Sequence, residues 1–454
     1  MVHVVQSAEI SSLHKIKHIV VLMLENRSFD NMLGRLYPQS EAFDGLSGNE
    51  SNPGPNGQPV FVNNTPGATP VNMSYPDPNP GEHWEGINEQ LFGTPHPLPG
   101  AIATMDGFVK NYMGREERPA DEYDPLQIMH YFTPEQVPVI SRLAREFAVC
   151  DRWFASAPCQ TWPNRFFLHS GTAGGYQNNA PPHFPYKMKT VFNQIDEADI
   201  SRGWKKFLPK RVAIRRSKNW TIFYDGIPNT LVLSKLWPRL RRFDRYASSF
   251  KKHAAAGTLP PYSFIEPKYF PVADVPTDMH PPGDVTIGER LIADVYNALR
   301  AGPAWKSTLL IIIFDEHGGC FDHVPPPKAV PPSTTPTEPF NFDRYGVRVP
   351  AVLVSPYIRS GTVLRPPGDT PFDHTSVIAT LRKRFNLGPP LTDRDAVAPD
   401  VLELGLEERV TLGELVELLE GQRVDRAHEA QLALEVAHPR GRRGAVDERR
   451  ALRL

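Results

Sequence analysis

The sequence predicts an α/β protein in which a mostly parallel central sheet is covered by helices on both faces. Three runs rich in apolar and β-branched residues punctuate the 454-residue chain, at 18–25, 308–319 and 349–356. Near-continuous runs of this kind are typical of strands whose two faces are both buried. Apolar residues at helical spacing lie between them, for example at 134–149 and 287–302. Strands that alternate with helices in this way indicate an α/β/α sandwich.

The first run, HIVVLMLE at 18–25, is predicted to be a core strand rather than part of a signal peptide. Basic residues precede it, but its six apolar residues fall short of the roughly 7–15 that a signal peptide needs. No stretch approaches the roughly 20 apolar residues of a membrane-spanning helix. We therefore expect a soluble protein, and the compartment stays open, either cytoplasmic or exported by a signal outside this chain.

The composition between the apolar runs suggests how the chain is divided. We interpret residues 1–400 as one large domain and residues 401–454, rich in Glu, Leu and Arg, as a helical C-terminal extension. Within the domain, residues 38–100 are dominated by Pro, Gly and Asn, and a long irregular segment of this type is typical of a lid-like loop. Residues 176–260 carry basic runs and are interpreted as an insertion.

The charge and cysteine content narrow the function classes. The formal net charge is -1, so the chain has no overall field that would draw it to nucleic acid, and no nucleic-acid partner is expected. Three cysteines are too few for a disulfide framework and lack the paired spacing of a zinc site. A single bridge between Cys150 and Cys159 stays open.

Two of the predicted strands end in oxygen-bearing side chains. Glu25 and Asn26 follow the apolar part of the first run, and Asp315 and Glu316 follow the apolar part of the second. Ligands of an open parallel sheet bind beyond the carboxyl ends of its strands, so these four side chains are expected to meet there. Their negative charges would repel one another without a cation, and hard divalent ions prefer such oxygens. The pattern predicts a site for one divalent metal ion of uncertain identity, although each pair could instead cap a strand or helix.

Several histidines lie close to these acids in the sequence. His317 and His323 bracket the GGCFD segment, His280 opens HPPGDV, and His83 lies in the lid-like segment. Imidazoles beside a metal can ligate it, bind an anion when protonated, or protonate a leaving group. The alternative for each is a structural hydrogen bond, and His374 is balanced between positioning the helix that follows it and a role in the site.

Thr161 is the candidate nucleophile. It lies two residues before a proline that favours the first turn of a helix, where free amides and the helix dipole favour an anion. A cation beside Thr161 could stabilise its alkoxide, whereas the common alternative is a simple N-cap. Asn164 and Arg165 could donate to a phosphate or anchor the helix, and the sequence does not separate these two roles.

Four separated motifs resemble a known family. ENRSFDNMLG (25–34), TWPNR (161–165), HPPGDV (280–285) and DEHGGCFDHVPPP (315–327) resemble, in this order, the bacterial and plant phosphoesterase family that contains non-specific phospholipases C and the acid phosphatase AcpA. The resemblance covers residues 16 to about 397 and leaves out the C-terminal tail. It implies an alkaline-phosphatase-like fold for the phosphoesterase domain at 1–400.

The resemblance also implies roles for the matching residues. Glu25 with Asn26, and Asp315 with Glu316, match two metal-ligand pairs; Thr161 matches a covalent nucleophile, and His280 a histidine that contacts the phosphoryl group. His83 matches a second such histidine less distinctively. The sequence departs from the commonest pattern at Trp162, where a histidine often precedes the proline, and this departure leaves the headgroup preference open.

The leading hypothesis is therefore a metal-dependent hydrolase of phospholipase C type. It would cleave the glycerol-side phosphodiester of phospholipids through a phosphothreonine, with His280 or His323 as proton donor and His83, Asn164, Arg165 and His317 around the substrate. A phospholipid substrate would bring the protein into transient contact with a membrane surface. The alternatives are an acid phosphatase acting on phosphomonoesters and a non-catalytic binding protein stabilised by its metal. The oligomeric state stays open.

Overall fold

The computed structural model describes most of the first 402 residues. The described ranges are 3–5, 15–63, 73–98, 100–114, 124–201, 218–271, 275–333 and 340–402. The chain divides into two compact units, Met1–Arg409 and Val410–Leu454, and the described residues belong to the first. The C-terminal extension predicted at 401–454 lies outside the described residues from 403 onward.

Eleven strands form in the described residues, and nine of them make one central sheet. The strands are β1 (His3–Val5), β2 (His18–Leu24), β3 (Ser51–Pro53), β4 (Pro59–Phe61), β5 (Ala148–Val149), β6 (Trp220–Tyr224), β7 (Phe243–Arg245), β8 (Tyr262–Glu266), β9 (Thr308–Phe314), β10 (Ala351–Val354) and β11 (Thr362–Leu364). The order in the central sheet is β1-β11-β5-β10-β9-β2-β8-β6-β7, and β3 pairs with β4 separately.

The central sheet is mostly parallel, as predicted. Strand β10 is the exception among the described strands, because it runs antiparallel to both of its neighbours, β5 and β9. The apolar run at 349–356 gave no sign of this reversal, since a strand buried on both faces looks the same in either direction. An antiparallel neighbour needs no helical crossover, and no α-helix occurs in the described residues between β9 and β10.

Ten α-helices occur in the described residues. They are α1 (Phe29–Leu33), α2 (Trp84–Phe92), α3 (Phe108–Met113), α4 (Pro138–Glu146), α5 (Thr161–Ser170), α6 (Val191–Ser201), α7 (Lys251–Ala256), α8 (Val285–Ala301), α9 (Thr375–Phe385) and α10 (Asp393–Val397). Helix α8 contacts α4 and α7, whereas α5 contacts α6 and α9, and α9 contacts α10. These two groups of helices are what a sandwich with two helical layers requires, so the predicted fold class is confirmed.

The core lies around the two central strands. All seven residues of β9 are buried, as are six of the seven residues of β2. Successive side chains of a strand point to opposite faces, so burial at every position means that both faces are covered. The charged groups that follow these strands are thus held by the most deeply buried part of the sheet.

Two segments differ from what their composition suggested. Residues 176–260, interpreted as an insertion, supply β6 and β7 to the edge of the central sheet. The lid-like segment 38–100 contains the β3–β4 hairpin and α2 among its described residues. The helix predicted at 134–149 spans only Pro138–Glu146, because residues 148–149 belong to β5.

Two further features concern cysteines and membrane spans. Cys150, Cys159 and Cys320 are all buried and free, so the bridge left open between the first two is not formed. None of the helices among the described residues combines the length and the apolar character needed to span a bilayer.

Candidate active site

The site lies where the two central strands end. Leu24 and Phe314 are paired in register, so the residues that follow them emerge side by side at one edge of the sheet. The amide of Asn26 donates to Asp315 Oδ1 at 3.1 Å, and its side chain donates to Glu316 Oε1 at 2.7 Å. The structure thus brings together the two pairs that the sequence singled out, which are separated by 290 residues.

The backbone is tightly constrained at this meeting point. Asn26 has a φ of 60°, in the left-handed region that asparagine tolerates better than most residues. Gly318 also has a positive φ, and a Cβ there would lie 2.2 Å from the carbonyl oxygen of Asn26. The amide of Gly318 donates to Glu316 Oε2 at 2.7 Å. The turn after β9 therefore requires glycine, and it holds the Glu316 carboxylate against Asn26.

Thr161 is the first residue of α5, and its hydroxyl faces the end of β2. Its Oγ1 lies 3.5 Å from Asn26 Oδ1, and the residue is 5% exposed. The N-cap is Gln160, so the alternative that Thr161 is only a cap does not hold. The helix N-terminus directs its partial positive charge toward the same place, which suits an anion such as a phosphate.

Arg165 lies one turn further along α5 and is paired with the acids. It lies 3.1 Å from Glu25 Oε1 and 3.1 Å from Asp315 Oδ2, and it donates to the Tyr269 hydroxyl at 2.8 Å. Burial alone would lower the pKa of this guanidinium, but Tyr269 and the carboxylates outweigh it and raise the pKa. Arg165 is therefore a fixed cation inside the site.

Asn164 anchors the start of the helix. Its side-chain amide donates to the carbonyl oxygens of Ala157 and Cys159, at 3.1 and 2.7 Å, and its Oδ1 accepts from the Ala157 amide at 3.1 Å. The residue is 0% exposed. Of the two roles that the sequence left open, these contacts favour the anchoring one.

Glu82 is a site residue that the sequence reasoning missed. Its carboxylate accepts from the Asn26 side chain at 2.6 Å and from the Gln160 side chain at 3.1 Å. It therefore ties the lid-like segment both to the end of β2 and to the residue before Thr161. The only sequence signal was its position beside His83. The His83 residue itself is exposed at the N-terminus of α2, without a side-chain capping bond.

The acids of the site oppose one another's ionisation. Burial raises the pKa of Asp315 to about 7, against the opposing charge of Arg165. Burial, followed by the charges of Glu82 and Asp315, raises the pKa of Glu316. Buried carboxylates that repel one another are stabilised by a cation placed between them, so this set fits a divalent metal ion.

His280 bridges two of these acids. Its Nδ1 lies 3.5 Å from Glu25 Oε2, and its Nε2 lies 3.5 Å from Glu82 Oε2. Burial would lower the pKa of the imidazole, but the hydrogen bond to Glu25 and the charge of Glu82 raise it to about 9. The side chain is 26% exposed, so it is more open to solvent than Arg165, whose side chain is 3% exposed.

Two other histidines support the site from behind. His317 is 1% exposed; its Nε2 lies 2.8 Å from Gln90 Oε1 and its Nδ1 lies 3.4 Å from Glu316 Oε2. Burial lowers its pKa to about 3, and the ring is enclosed between Gln90 and Glu316, which argues against the predicted contact with a substrate. His374 lies 2.6 Å from the Asp315 carbonyl oxygen and accepts from Trp153 at 3.4 Å.

His323 lies in a different cluster. Its Nδ1 is 2.6 Å from Asp30 Oδ2, and its Nε2 is 3.3 Å from Asp44 Oδ1. None of its hydrogen bonds among the described residues joins it to Thr161 or to the four predicted metal ligands. These contacts favour a structural role and argue against the predicted role as proton donor, because both ring nitrogens are engaged by acids.

The same cluster contains the one group of three ligand-type side chains, among the described residues, whose ligand atoms all lie within 4.8 Å of one another. Its members are Asp30, Asp322 and His323. The guanidinium of Arg348 already donates to Asp30 Oδ1 and to Asp322 Oδ1, each at 2.9 Å. Arg348 thus supplies positive charge to these two carboxylates, as Arg165 does to Glu25 and Asp315 at the ends of β2 and β9.

Comparison with known proteins shows the family to which the chain belongs. The model of the phosphoesterase family matches residues 16–388, and the chain belongs to this family. It is 39% identical to non-specific phospholipase C3 of Arabidopsis thaliana over 87% of this chain and 74% of that protein. It is 30% identical to phospholipase C B of Mycobacterium tuberculosis over 85% of this chain and 77% of that protein.

Similarity to solved structures is much weaker. A protein of the alkaline phosphatase superfamily from Vibrio parahaemolyticus matches with a TM-score of 0.32 and 10% identity, over 59% of this chain and 66% of that chain. No conclusion about the site follows from a TM-score this low. The family and the phospholipase C relatives make the protein a phosphoric ester hydrolase, so the predicted enzyme class is confirmed over the non-catalytic alternative.

Proposed function

We propose that the protein is a phospholipase C that hydrolyses phospholipids through a phosphothreonine at Thr161, with one divalent cation. The observation that carries this proposal is the Thr161 hydroxyl, which lies at the N-terminus of α5 and 3.5 Å from Asn26 Oδ1. In this position a nucleophilic hydroxyl lies at a helix end that favours anions. It also lies near several carboxylates that suit a cation.

Glu25, Asn26, Asp315 and Glu316 would hold the cation. When bound, it would lower the pKa of the Thr161 hydroxyl and offset charge on the phosphoryl oxygens. The charges of the residues support this assignment. Arg165 pairs with Glu25 and Asp315, but Glu316 is still repelled by Glu82 and Asp315, and a cation would offset that repulsion.

The chemistry of the chain follows from these positions. The Thr161 hydroxyl releases its proton to solvent as Oγ1 attacks phosphorus. The bond from phosphorus to the glycerol oxygen breaks, and His280 donates a proton to the departing alkoxide. The products are diacylglycerol and a phosphothreonine that carries the headgroup. Water then attacks the phosphorus and His280 accepts its proton. The Thr161 oxygen leaves and takes up a proton from solvent, which regenerates the hydroxyl and releases the phosphorylated headgroup. Asn164 keeps the nucleophile-bearing helix in place throughout.

The phospholipid substrate is supported by the relatives. Both the plant and the mycobacterial proteins that match over more than four fifths of this chain are named phospholipases C. The half-buried indole of Trp162 lies beside the nucleophile and contacts Tyr186 edge-on, with ring centroids 6.0 Å apart. An aromatic face at this point suits a cationic headgroup such as choline.

The nucleophile is tested with Thr161→Ala. We expect hydrolysis of phosphatidylcholine to fall at least about 1,000-fold, because no other group replaces the attacking oxygen. Metal content and melting temperature should match those of the wild type, and Thr161→Ser is the matched control that keeps a hydroxyl and part of the activity. Retention of wild-type turnover by Thr161→Ala would refute the assignment.

A second assay separates the substrate classes. Phosphatidylcholine and p-nitrophenyl phosphate are compared with the same enzyme and the same added cation. Faster hydrolysis of phosphatidylcholine supports the proposal. Hydrolysis of the monoester alone would instead make the protein a phosphatase of the same family.

A further inference from the structure

Two loops that border the site expose large apolar side chains. Ile227 is 58% exposed in the loop after β6, and Phe270 and Val275 are 53% and 54% exposed in the segment after β8. Single exposed apolar residues are common on protein surfaces and need no explanation. These three are different because they lie on adjoining loops, and we call them the apolar rim.

The two loops lie next to each other. The Asp225 amide donates to the Glu266 carbonyl oxygen at 3.2 Å, and a Cβ at Gly226 would lie 3.5 Å from Lys268 Cγ. Lys268 in turn exchanges two hydrogen bonds with Thr277, each 2.9 Å long. The rim residues are thus carried by one connected piece of surface.

The same loops deliver residues to the active site. Asn229 lies two positions after Ile227, and its side chain is 3.5 Å from Glu25 Oε1. Tyr269 directly precedes Phe270 and accepts from Arg165 at 2.8 Å. His280 follows Val275 by five positions. The rim therefore borders the acids of the site on the side of β6 and β8.

We propose that the apolar rim contacts the acyl region of a phospholipid surface while the headgroup phosphate reaches Thr161. This inference rests on the proposed function, since it assumes a phospholipid substrate. Thr161 is 5% exposed, so a lipid must be raised partly out of its bilayer before its phosphate can reach the hydroxyl. Apolar side chains on the loops that carry Asn229 and Tyr269 offset that cost, because they leave water as the acyl chains do.

The test uses the full chain and sedimentation with phosphatidylcholine vesicles. We expect Ile227→Asp and Phe270→Asp each to weaken vesicle binding at least tenfold. Vesicle hydrolysis should fall at least tenfold more than hydrolysis of a short-chain phosphatidylcholine kept below its micelle concentration. The matched control is Phe61→Asp, since Phe61 is also 53% exposed but lies in β4, and it should bind vesicles as the wild type does.

Failure of the rim and failure of the function give different results. The proposed role of the rim is overturned if the rim variants bind vesicles as well as the wild type does. It is also overturned if Phe61→Asp loses as much vesicle binding as they do. If the wild type binds vesicles through the rim but hydrolyses neither vesicle phosphatidylcholine nor the short-chain phosphatidylcholine, the proposed function is contradicted instead. Size-exclusion chromatography tests whether the rim instead binds a second copy of the chain. A wild-type dimer that dissociates in Phe270→Asp would show this and overturn the proposal.

Discussion

His323 shows how one side chain can hold together parts of the chain that are far apart in sequence. It lies between Asp30 in α1 and Asp44 in the segment that follows, whereas His323 itself comes after β9. Arg348, which lies shortly before β10, pairs with Asp30 as well. The motif that suggested acid–base chemistry therefore encodes an ion-pair network.

The protonation of His323 predicts how stability depends on pH. Burial lowers the pKa of the ring, but the hydrogen bonds to Asp30 and Asp44 raise it from its ordinary 6.5 to about 10. The folded state therefore binds this proton more tightly than the unfolded state does. Its stabilisation is complete below about pH 6.5 and is lost as the pH rises through 10.

The prediction is measured by urea unfolding at several pH values. The free energy of unfolding of the wild type should decline between pH 6.5 and 10, and His323→Gln should be less stable at pH 6.5 with a shallower decline. His183→Gln removes an exposed histidine and should follow the wild type. Parallel curves for wild type and His323→Gln would contradict the proposed network.

At the scale of secondary-structure elements, the turn after β9 decides the geometry of the site. Gly318→Ala should lower the free energy of unfolding by roughly 1–3 kcal/mol, because a positive φ is combined with a Cβ that would lie 2.2 Å from the Asn26 carbonyl oxygen. Activity should fall further than stability does, since the displaced atom belongs to a predicted metal ligand.

The matched control for this turn is Gly368→Ala. No atom lies within 4 Å of a Cβ at Gly368, and its φ is not in the left-handed region. Its effect on unfolding should stay within about 0.5 kcal/mol. Equal effects at the two glycines, measured by urea unfolding and by phosphatidylcholine hydrolysis, would refute the role of the turn.

The elements differ in how far the sequence predicts them, and the reason is physical. Strands β2 and β9 and the acids that follow them were predictable. A strand buried on both faces requires a continuous run of apolar residues, and the acids come directly after each run. The short strands β6 and β7, and the reversed direction of β10, depend on partners that the local pattern does not show. Glu82 was missed because its role depends on the distant Asn26 and Gln160.

For the whole molecule, the site joins segments from several parts of the chain. Glu82, the end of β2, the start of α5, His280 and the end of β9 all contribute. A cation bound among their acids would stabilise the folded state only, because the unfolded chain holds no such site. The stabilisation is about 2.7 kcal/mol when the free ion is at 100 times its Kd.

Added calcium or magnesium should therefore raise the melting temperature of the chelator-treated protein by several degrees. Glu25→Gln should lose most of this increase, since it removes one of the charges that would face the ion. Glu289→Gln is the control: Glu289 is a buried carboxylate in α8 that accepts from the α4 amides of Val139 and Ile140. If Glu25→Gln kept the full increase, the cation would bind elsewhere.

The central position of β2 has a consequence for synthesis on the ribosome. Strand β2 is translated before its two partners, β8 and β9, which follow it by about 240 and 290 residues. An apolar strand that waits this long for its neighbours exposes unpaired backbone groups and favours aggregation. The nascent chain is therefore expected to depend on a chaperone that shields residues 18–24 until β9 has been translated.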